Sequence, residues 1–73
     1  MAPAQLKTLR QSFDFTQKQM ADILGIHPNA LQNMEYGKNP IPKYIKHYAM
    51  SLTILNENRL LKNHIELIGI DLE

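Results

Sequence analysis

The chain has 73 residues, of which 44% are hydrophobic and 21% are charged, and its formal net charge is +1. This length allows one domain at most, and the composition is typical of folded globular proteins rather than disordered ones. The absence of cysteine excludes disulfides and thiolate metal sites, and no apolar run is long enough to cross a bilayer. Because residues 1–7 lack the apolar stretch of a signal peptide, we expect a single cytoplasmic domain over residues 1–73.

The charges are distributed unevenly along the chain. Residues 1–50 contain six basic and three acidic residues, whereas residues 51–73 contain two basic and four acidic residues. A basic segment followed by an acidic one favours a nucleic-acid partner for the basic segment.

The first predicted helix begins at Pro3, since a proline in the first turn loses no hydrogen bond. Leu6, Leu9 and Phe13 follow at spacings of three and four, which gives the helix one apolar face. We expect this helix to end at residues 14–15.

The second predicted helix begins after Thr16, which forms a capping-box pattern with Gln19 three residues later. Gly25 is suited to the left-handed conformation that commonly follows a helix C-terminus. The predicted inward face of this helix consists of Met20, Ala21 and Leu24.

The third predicted helix has Pro28 as its first residue and ends at Gly37. Leu31 and Met34 are predicted to point inward. The opposite face is unusual because it carries amides in place of lysines and glutamates. Its residues are spaced by three, one and three, so that they share one face: Asn29, Gln32, Asn33 and Tyr36.

The fourth predicted helix opens at Pro42 and places Ile45, Tyr48, Ala49 and Leu52 on one face. A fifth helix is predicted over residues 57–68, with Gly69 as its end. The alternation over residues 69–73 leaves a strand and a coil both open.

Two helices of about two turns each, joined by a short glycine-containing turn, are typical of a helix-turn-helix. The segment FTQKQMADILGIHPNALQNMEYGK resembles the phage-repressor and Cro type of helix-turn-helix domain over residues 3–53. The positions that carry the resemblance are Thr16, Gln17, Ala21, Gly25, Leu31, Met34, Glu35, Gly37 and Lys38, with Arg10 in the first helix. The expected fold class is all-α, with four to five helices.

The resemblance implies a role for each matching residue. The base-reading candidates are Asn29, Gln32, Asn33 and His27. The candidates for contact with the DNA backbone are Gln17, Lys18, Tyr36, Lys38, Asn39 and Lys43. Arg10 and Glu35 are expected to form an ion pair that ties the first helix to the third. The chemistry supports base reading independently, since an amide matches the adjacent donor and acceptor of adenine in the major groove.

Two of these positions depart from the family pattern. His27 stands where the family usually has a serine or threonine cap, so that capping and contact with DNA are both open for it. Tyr36 stands where asparagine is more usual. Its hydroxyl is a candidate for phosphate contact, and packing against the following loop is the alternative.

The C-terminal segment, residues 54–73, is rich in aliphatic residues and is predicted to mediate homodimerisation. The alternative is that it completes the core of a single chain. The predicted dimer interface consists of Leu55, Leu61, Ile65, Ile68 and Leu72. A two-fold dimer selects an inverted repeat in DNA.

We therefore expect a dimeric transcriptional autorepressor that binds a palindromic double-stranded operator in a phage or mobile-element operon. Antitoxins and anti-CRISPR-associated regulators that resemble this family are analogous. The alternative is an antitoxin-like or polymerase-binding interaction module that uses the aliphatic C-terminal segment. RNA is disfavoured because its deep major groove does not admit a helix.

The sequence contains no motif that would support catalysis, a cofactor or a metal ion. The three histidines lack the spacing of metal ligands, and there is no nucleophile elbow and no glycine-rich phosphate loop. We expect no enzymatic activity, no membrane partner and no small-molecule effector or sensor domain.

Overall fold

A computed structural model describes residues 1–70 of the chain as a bundle of five α-helices. Within these residues there is no β-strand, and the prediction of an all-α fold is confirmed. The helices are α1 (Pro3–Ser12), α2 (Gln17–Leu24), α3 (Pro28–Glu35), α4 (Lys43–Glu57) and α5 (Leu61–Ile68).

The helix boundaries in the first half follow local capping signals. Pro3 occupies the first position of α1, as predicted. At α2, the hydroxyl of Thr16 accepts from the backbone N–H of Gln19, and the Gln19 side chain accepts from the backbone N–H of Thr16. Gly25 ends α2 in the left-handed conformation at φ 73°. Each of these capping signals acts over at most four residues, and the sequence therefore predicts these helix ends well.

The hydrophobic core is formed by side chains from all five helices. Helix α3 packs on α1 and α2, while α4 packs on α1 and α5. Five large side chains are fully buried, and they come from four helices: Leu6, Met20, Leu31, Ile45 and Leu52. Replacing any one of them with alanine is expected to cost about 2–5 kcal/mol, because a cavity remains where the side chain was.

The boundary between α4 and α5 differs from the sequence prediction. Glu57, predicted as the start of the fifth helix, is instead the last residue of α4, and α5 begins at Leu61. Arg59 adopts a left-handed conformation at φ 59°, which interrupts the helical path. The backbone N–H of Leu60 then donates to the carbonyl oxygen of Leu55 at 2.8 Å and closes the turn. Gly69 ends α5 as predicted, at φ 78°.

The inner face of α5 belongs to the core of the chain. Leu61 and Ile65 are only 7% and 5% exposed, and Leu55 is half-buried against the same core. Leu61 and Ile65, which the sequence assigns to a dimer interface, thus pack within one chain, and little of either side chain is left to contact a second copy. Ile68, in the last turn of α5, is exposed, and Leu72 lies outside the described residues.

A polar contact also joins α5 to α4, next to the apolar packing of Leu61 and Ile65. The hydroxyl of Tyr48 lies 2.9 Å from Nε2 of His64, and the two rings meet edge to face. Partial burial raises the pKa of the Tyr48 hydroxyl above its usual value of 10.0. The contact therefore adds a polar link to the apolar packing between α4 and α5.

None of the helices in residues 1–70 combines the length and the apolar character that crossing a lipid bilayer requires.

Candidate nucleic-acid interface

Helices α2 and α3 are each eight residues long and are joined by the short turn at residues 25–27. The backbone N–H of Ile26 donates to the carbonyl oxygen of Ala21 at 3.0 Å, and that of Gly25 donates to Asp22 at 3.2 Å. These bonds satisfy carbonyls at the end of α2 and turn the chain directly into α3. The two helices therefore have a fixed relative position.

His27 is the N-cap of α3. Its Nδ1 accepts a hydrogen bond from the backbone N–H of Asn29 at 3.0 Å. The imidazole nitrogen thus takes the place of the hydroxyl oxygen of a serine or threonine cap. The structure thus gives His27 the capping role that was open in the sequence.

Helix α3 has two chemically distinct faces. Leu31, Met34 and Glu35 are buried, whereas the opposite face carries the amides and a tyrosine. On that face Asn29 and Tyr36 are exposed, and Gln32 and Asn33 are half-buried. The structure therefore brings together on one surface the four residues that the sequence spacing places there: Asn29, Gln32, Asn33 and Tyr36.

The outer face contains one side-chain hydrogen bond of its own. Nε2 of Gln32 donates to the hydroxyl oxygen of Tyr36 at 3.4 Å. The two residues are also joined through the backbone, since the N–H of Tyr36 donates to the carbonyl oxygen of Gln32 at 2.9 Å. The tyrosine ring therefore lies beside the glutamine amide.

The loop after α3 is fixed to the end of that helix. The backbone N–H groups of Lys38 and Asn39 both donate to the carbonyl oxygen of Asn33, at 2.9 and 3.3 Å. Both side chains are exposed. The loop thus presents a cation and an amide immediately beyond the amide face of α3.

A buried ionic cluster, consisting of Arg10, Gln17 and Glu35, holds α3 against α1 and α2. Nε and Nη2 of Arg10 donate to the two carboxylate oxygens of Glu35 at 2.8 and 3.1 Å, and Nε2 of Gln17 donates to Oε1 at 3.1 Å. Nη1 of Arg10 also donates to the carbonyl oxygen of Phe15 at 2.9 Å. The Glu35 side chain is fully buried and that of Arg10 is 11% exposed.

A family model described as helix-turn-helix matches residues 6–46, which is more than half of the chain. The chain belongs to the Cro/C1-type helix-turn-helix family. Members of this family are DNA-binding transcriptional regulators, and double-stranded DNA is the partner that membership implies. No curated protein and no solved structure gives a significant match.

In a helix-turn-helix domain, the first helix of the motif crosses the DNA backbone and the second enters the major groove. Here α2 and α3 occupy these two positions. The protein's own charges suit this arrangement, because Lys18, Lys38 and Lys43 are exposed at the ends of α2, α3 and α4. Glu35 does not oppose them, since its carboxylate is buried and paired with Arg10.

The helix-turn-helix domain offers no site for a metal ion in the part of the chain that the structure describes. Across residues 1–70, no three side chains among histidine, aspartate and glutamate converge in a way that would hold a metal. Every buried side-chain nitrogen and oxygen there has a hydrogen-bond partner.

Two contacts of the helix-turn-helix domain were not predicted from the sequence. The bond from Gln17 to Glu35 joins residues 18 positions apart, and no local pattern signals it. The bond between Gln32 and Tyr36 spans four residues, so that the helical i, i+4 spacing would have been a sufficient signal.

Proposed function

We propose that this chain is a sequence-specific repressor that binds an inverted repeat in double-stranded DNA as a homodimer. The amide face of α3 is the observation that carries the proposal. Each amide offers a hydrogen-bond donor beside an acceptor, which matches N6 and N7 of adenine in the major groove. Uncharged side chains at these positions add base preference without adding attraction to every phosphate.

Attraction to the DNA backbone is assigned to other side chains. Lys38 and Asn39 follow α3 directly, while Lys18 lies in the first turn of α2 and Lys43 begins α4. Lysines at these positions supply sequence-independent affinity, which depends on salt because binding releases counterions. Gln17 donates one N–H to Glu35, so its proposed phosphate contact uses the remaining N–H of the same amide.

Exposed aliphatic side chains near the C-terminus support the homodimer. The buried residues Leu61 and Ile65 do not take part, and the proposed contact is made by four exposed residues: Ile54, Leu60, Leu67 and Ile68. Exposed aliphatic residues that form a contiguous patch are typical of an interaction surface, and the proposal takes these four to form one. A two-fold dimer would place two α3 helices about 34–36 Å apart, which is one turn of DNA.

The biological setting that we propose is a phage or mobile-element operon in which the protein represses its own promoter. The proposal rests on the resemblance to phage repressors and on the small size of the domain. Bound across a promoter, a dimer of this kind would exclude polymerase.

Selection of bound duplexes from a random DNA library tests the proposal. The expected result is an inverted repeat with adenine-containing half-sites and a fixed spacing of about 10 base pairs between half-site centres. Enrichment of a single half-site would contradict the dimer but retain sequence-specific binding. Absence of any enrichment would contradict the proposal and favour the interaction module that uses the exposed aliphatic residues.

A further inference from the structure

The hydrogen bond between Gln32 and Tyr36 lies on the face of α3 that is proposed to read bases. Tyr36 is 60% exposed, and its hydroxyl oxygen is 3.4 Å from Nε2 of Gln32. We propose that Tyr36 is a positioning residue that orients the Gln32 amide for base recognition. This inference rests on the proposed function, because it requires Gln32 to contact a base.

The chemistry of a primary amide allows both contacts at once. The amide has one carbonyl oxygen and two N–H groups, one on the same side as the oxygen and one pointing away from it. Adenine is read by the oxygen and the N–H on the same side, because N6 and N7 lie next to each other. The N–H that points away is free to donate to the hydroxyl of Tyr36. The bond therefore leaves the reading edge of Gln32 available.

A fixed amide has an advantage over a mobile one. A glutamine side chain has several rotatable bonds, and ordering it on binding costs conformational entropy. Tyr36 is a comparatively rigid partner, because its side chain has only two rotatable bonds that move the ring. Its backbone N–H also donates a hydrogen bond to the carbonyl oxygen of Gln32 at 2.9 Å. In the structure the hydroxyl accepts from the amide nitrogen, an arrangement that leaves the amide oxygen for the reading edge.

The substitution Tyr36→Phe tests the inference in the full chain, because it removes the hydroxyl and keeps the ring. We expect the affinity for the selected operator to fall about 3- to 10-fold, while the affinity for random duplex DNA is unchanged. Base preference should relax only at the position where Gln32→Ala also relaxes it. Tyr44→Phe is the matched control, since Tyr44 is an equally exposed tyrosine, at 62%, on α4.

A double variant separates positioning from a direct contact. In the Gln32→Ala background, Tyr36→Phe is expected to have no further effect on operator affinity. Additive losses, or equal losses on operator and random DNA, would mean that the hydroxyl contacts DNA itself and would overturn the inference. Unchanged operator affinity in Tyr36→Phe would overturn it too.

The same measurements distinguish this inference from the proposed function. If the wild-type protein selects a sequence but Tyr36→Phe reads it as well as the wild type does, only the positioning role of Tyr36 fails. If the wild-type protein selects no sequence, both proposals fail together.

Discussion

At the scale of single residues, the proposed function assigns attraction to DNA and discrimination among bases to different side chains. The outer face of α3 carries uncharged amides, and the exposed lysines lie at the ends of the neighbouring helices. A base contact and a phosphate contact have different experimental signatures. Loss of a base contact weakens binding only to DNA of the matching sequence, whereas loss of a phosphate contact weakens binding to all DNA and lowers the salt dependence of the affinity. Single substitutions therefore test each assignment separately.

Gln32→Ala tests the assignment of base reading. We expect it to weaken binding to the selected operator by about 1–3 kcal/mol and to leave binding to random duplex DNA nearly unchanged. Equilibrium titrations of both DNAs measure the difference. Gln11→Ala removes an exposed glutamine from α1 and is expected to change neither affinity. Equal losses on the two DNAs would remove Gln32 from the base-reading residues.

Lys38→Ala tests the assignment of backbone contact. We expect weaker binding to all sequences alike, with the slope of log affinity against log salt concentration reduced by about one. Lys62→Ala, which removes an exposed lysine from α5, is the matched control and should keep the wild-type slope. A wild-type slope in Lys38→Ala would count against a phosphate contact.

The role of His27 could not be predicted from the sequence alone. The sequence places it at the N-cap of α3 but leaves its role open, because an imidazole is both a cap and a candidate ligand of DNA. The choice depends on the side-chain rotamer, which determines whether Nδ1 reaches the N–H of Asn29. In the structure that distance is 3.0 Å, and it depends on the rotamer and on the folded backbone together.

At the scale of helices, the ionic cluster of Arg10, Gln17 and Glu35 is the main polar junction of the domain. One buried carboxylate accepts hydrogen bonds from α1 and α2 while belonging to α3. The position of the amide face therefore depends on a side chain on the opposite face of the same helix.

Arg10→Ala tests this junction. We expect it to lower the free energy of unfolding by about 3–5 kcal/mol, because Glu35 would remain buried without its cation. Urea denaturation measures the change, with Lys7→Ala, an exposed position on α1, as the control. The double variant Arg10→Met/Glu35→Leu should recover much of the loss. A single variant as stable as the control would show that the pair contributes little.

Partial burial of the Tyr48 hydroxyl, which raises its pKa, gives the stability of the domain a dependence on alkaline pH. The raised pKa of Tyr48 means that the native state holds this proton more tightly than the unfolded state does. Its contribution to stability is therefore complete below about pH 10 and is lost as the pH rises through the native pKa.

Urea denaturation between pH 8 and 11 tests this dependence. Tyr48→Phe should lose stability less steeply above pH 10 than the wild type, whereas Tyr44→Phe should follow the wild type. Identical slopes in all three proteins would exclude a contribution from Tyr48.

The turn between α4 and α5 explains why some helix boundaries were predicted and one was not. Proline, the capping box and glycine act over a few residues, so Pro3, Thr16 and Gly25 mark their boundaries in the sequence. Arg59 adopts a left-handed conformation that arginine seldom takes. Arginine itself gives no signal for this conformation, so the boundary could not be placed from residue 59 alone.

At the scale of the whole molecule, side chains that are buried within one chain have little surface left to contact a second copy. Helical spacing correctly groups Leu61 with Ile65 on one face, but spacing does not say what covers that face. In the structure, α4 covers it, and the remaining exposed aliphatic residues include Leu67 at 86% and Ile68 at 40%. These exposed positions belong to the contact that we propose with a second copy.

Leu67→Glu tests the homodimer. We expect light scattering to show a dimer for the wild type at micromolar concentration and a larger monomer fraction for the variant, because a carboxylate would be buried at the contact. The unfolding of the monomer should change little, since the side chain is exposed. Asn63→Glu adds the same charge at an exposed position of α5 and is the control. A wild type that is monomeric at these concentrations would contradict the dimer.

The two faces of α3 also have a consequence for how such a protein changes over generations. Its buried face is constrained by the core and by the paired carboxylate, so substitutions there are removed by loss of folding. The amide face is joined to the rest of the domain by few contacts, and surface changes usually cost less than 0.5 kcal/mol. With the amide face reading bases, as proposed, single mutations there would give a lineage of these regulators new operators while the scaffold stays unchanged.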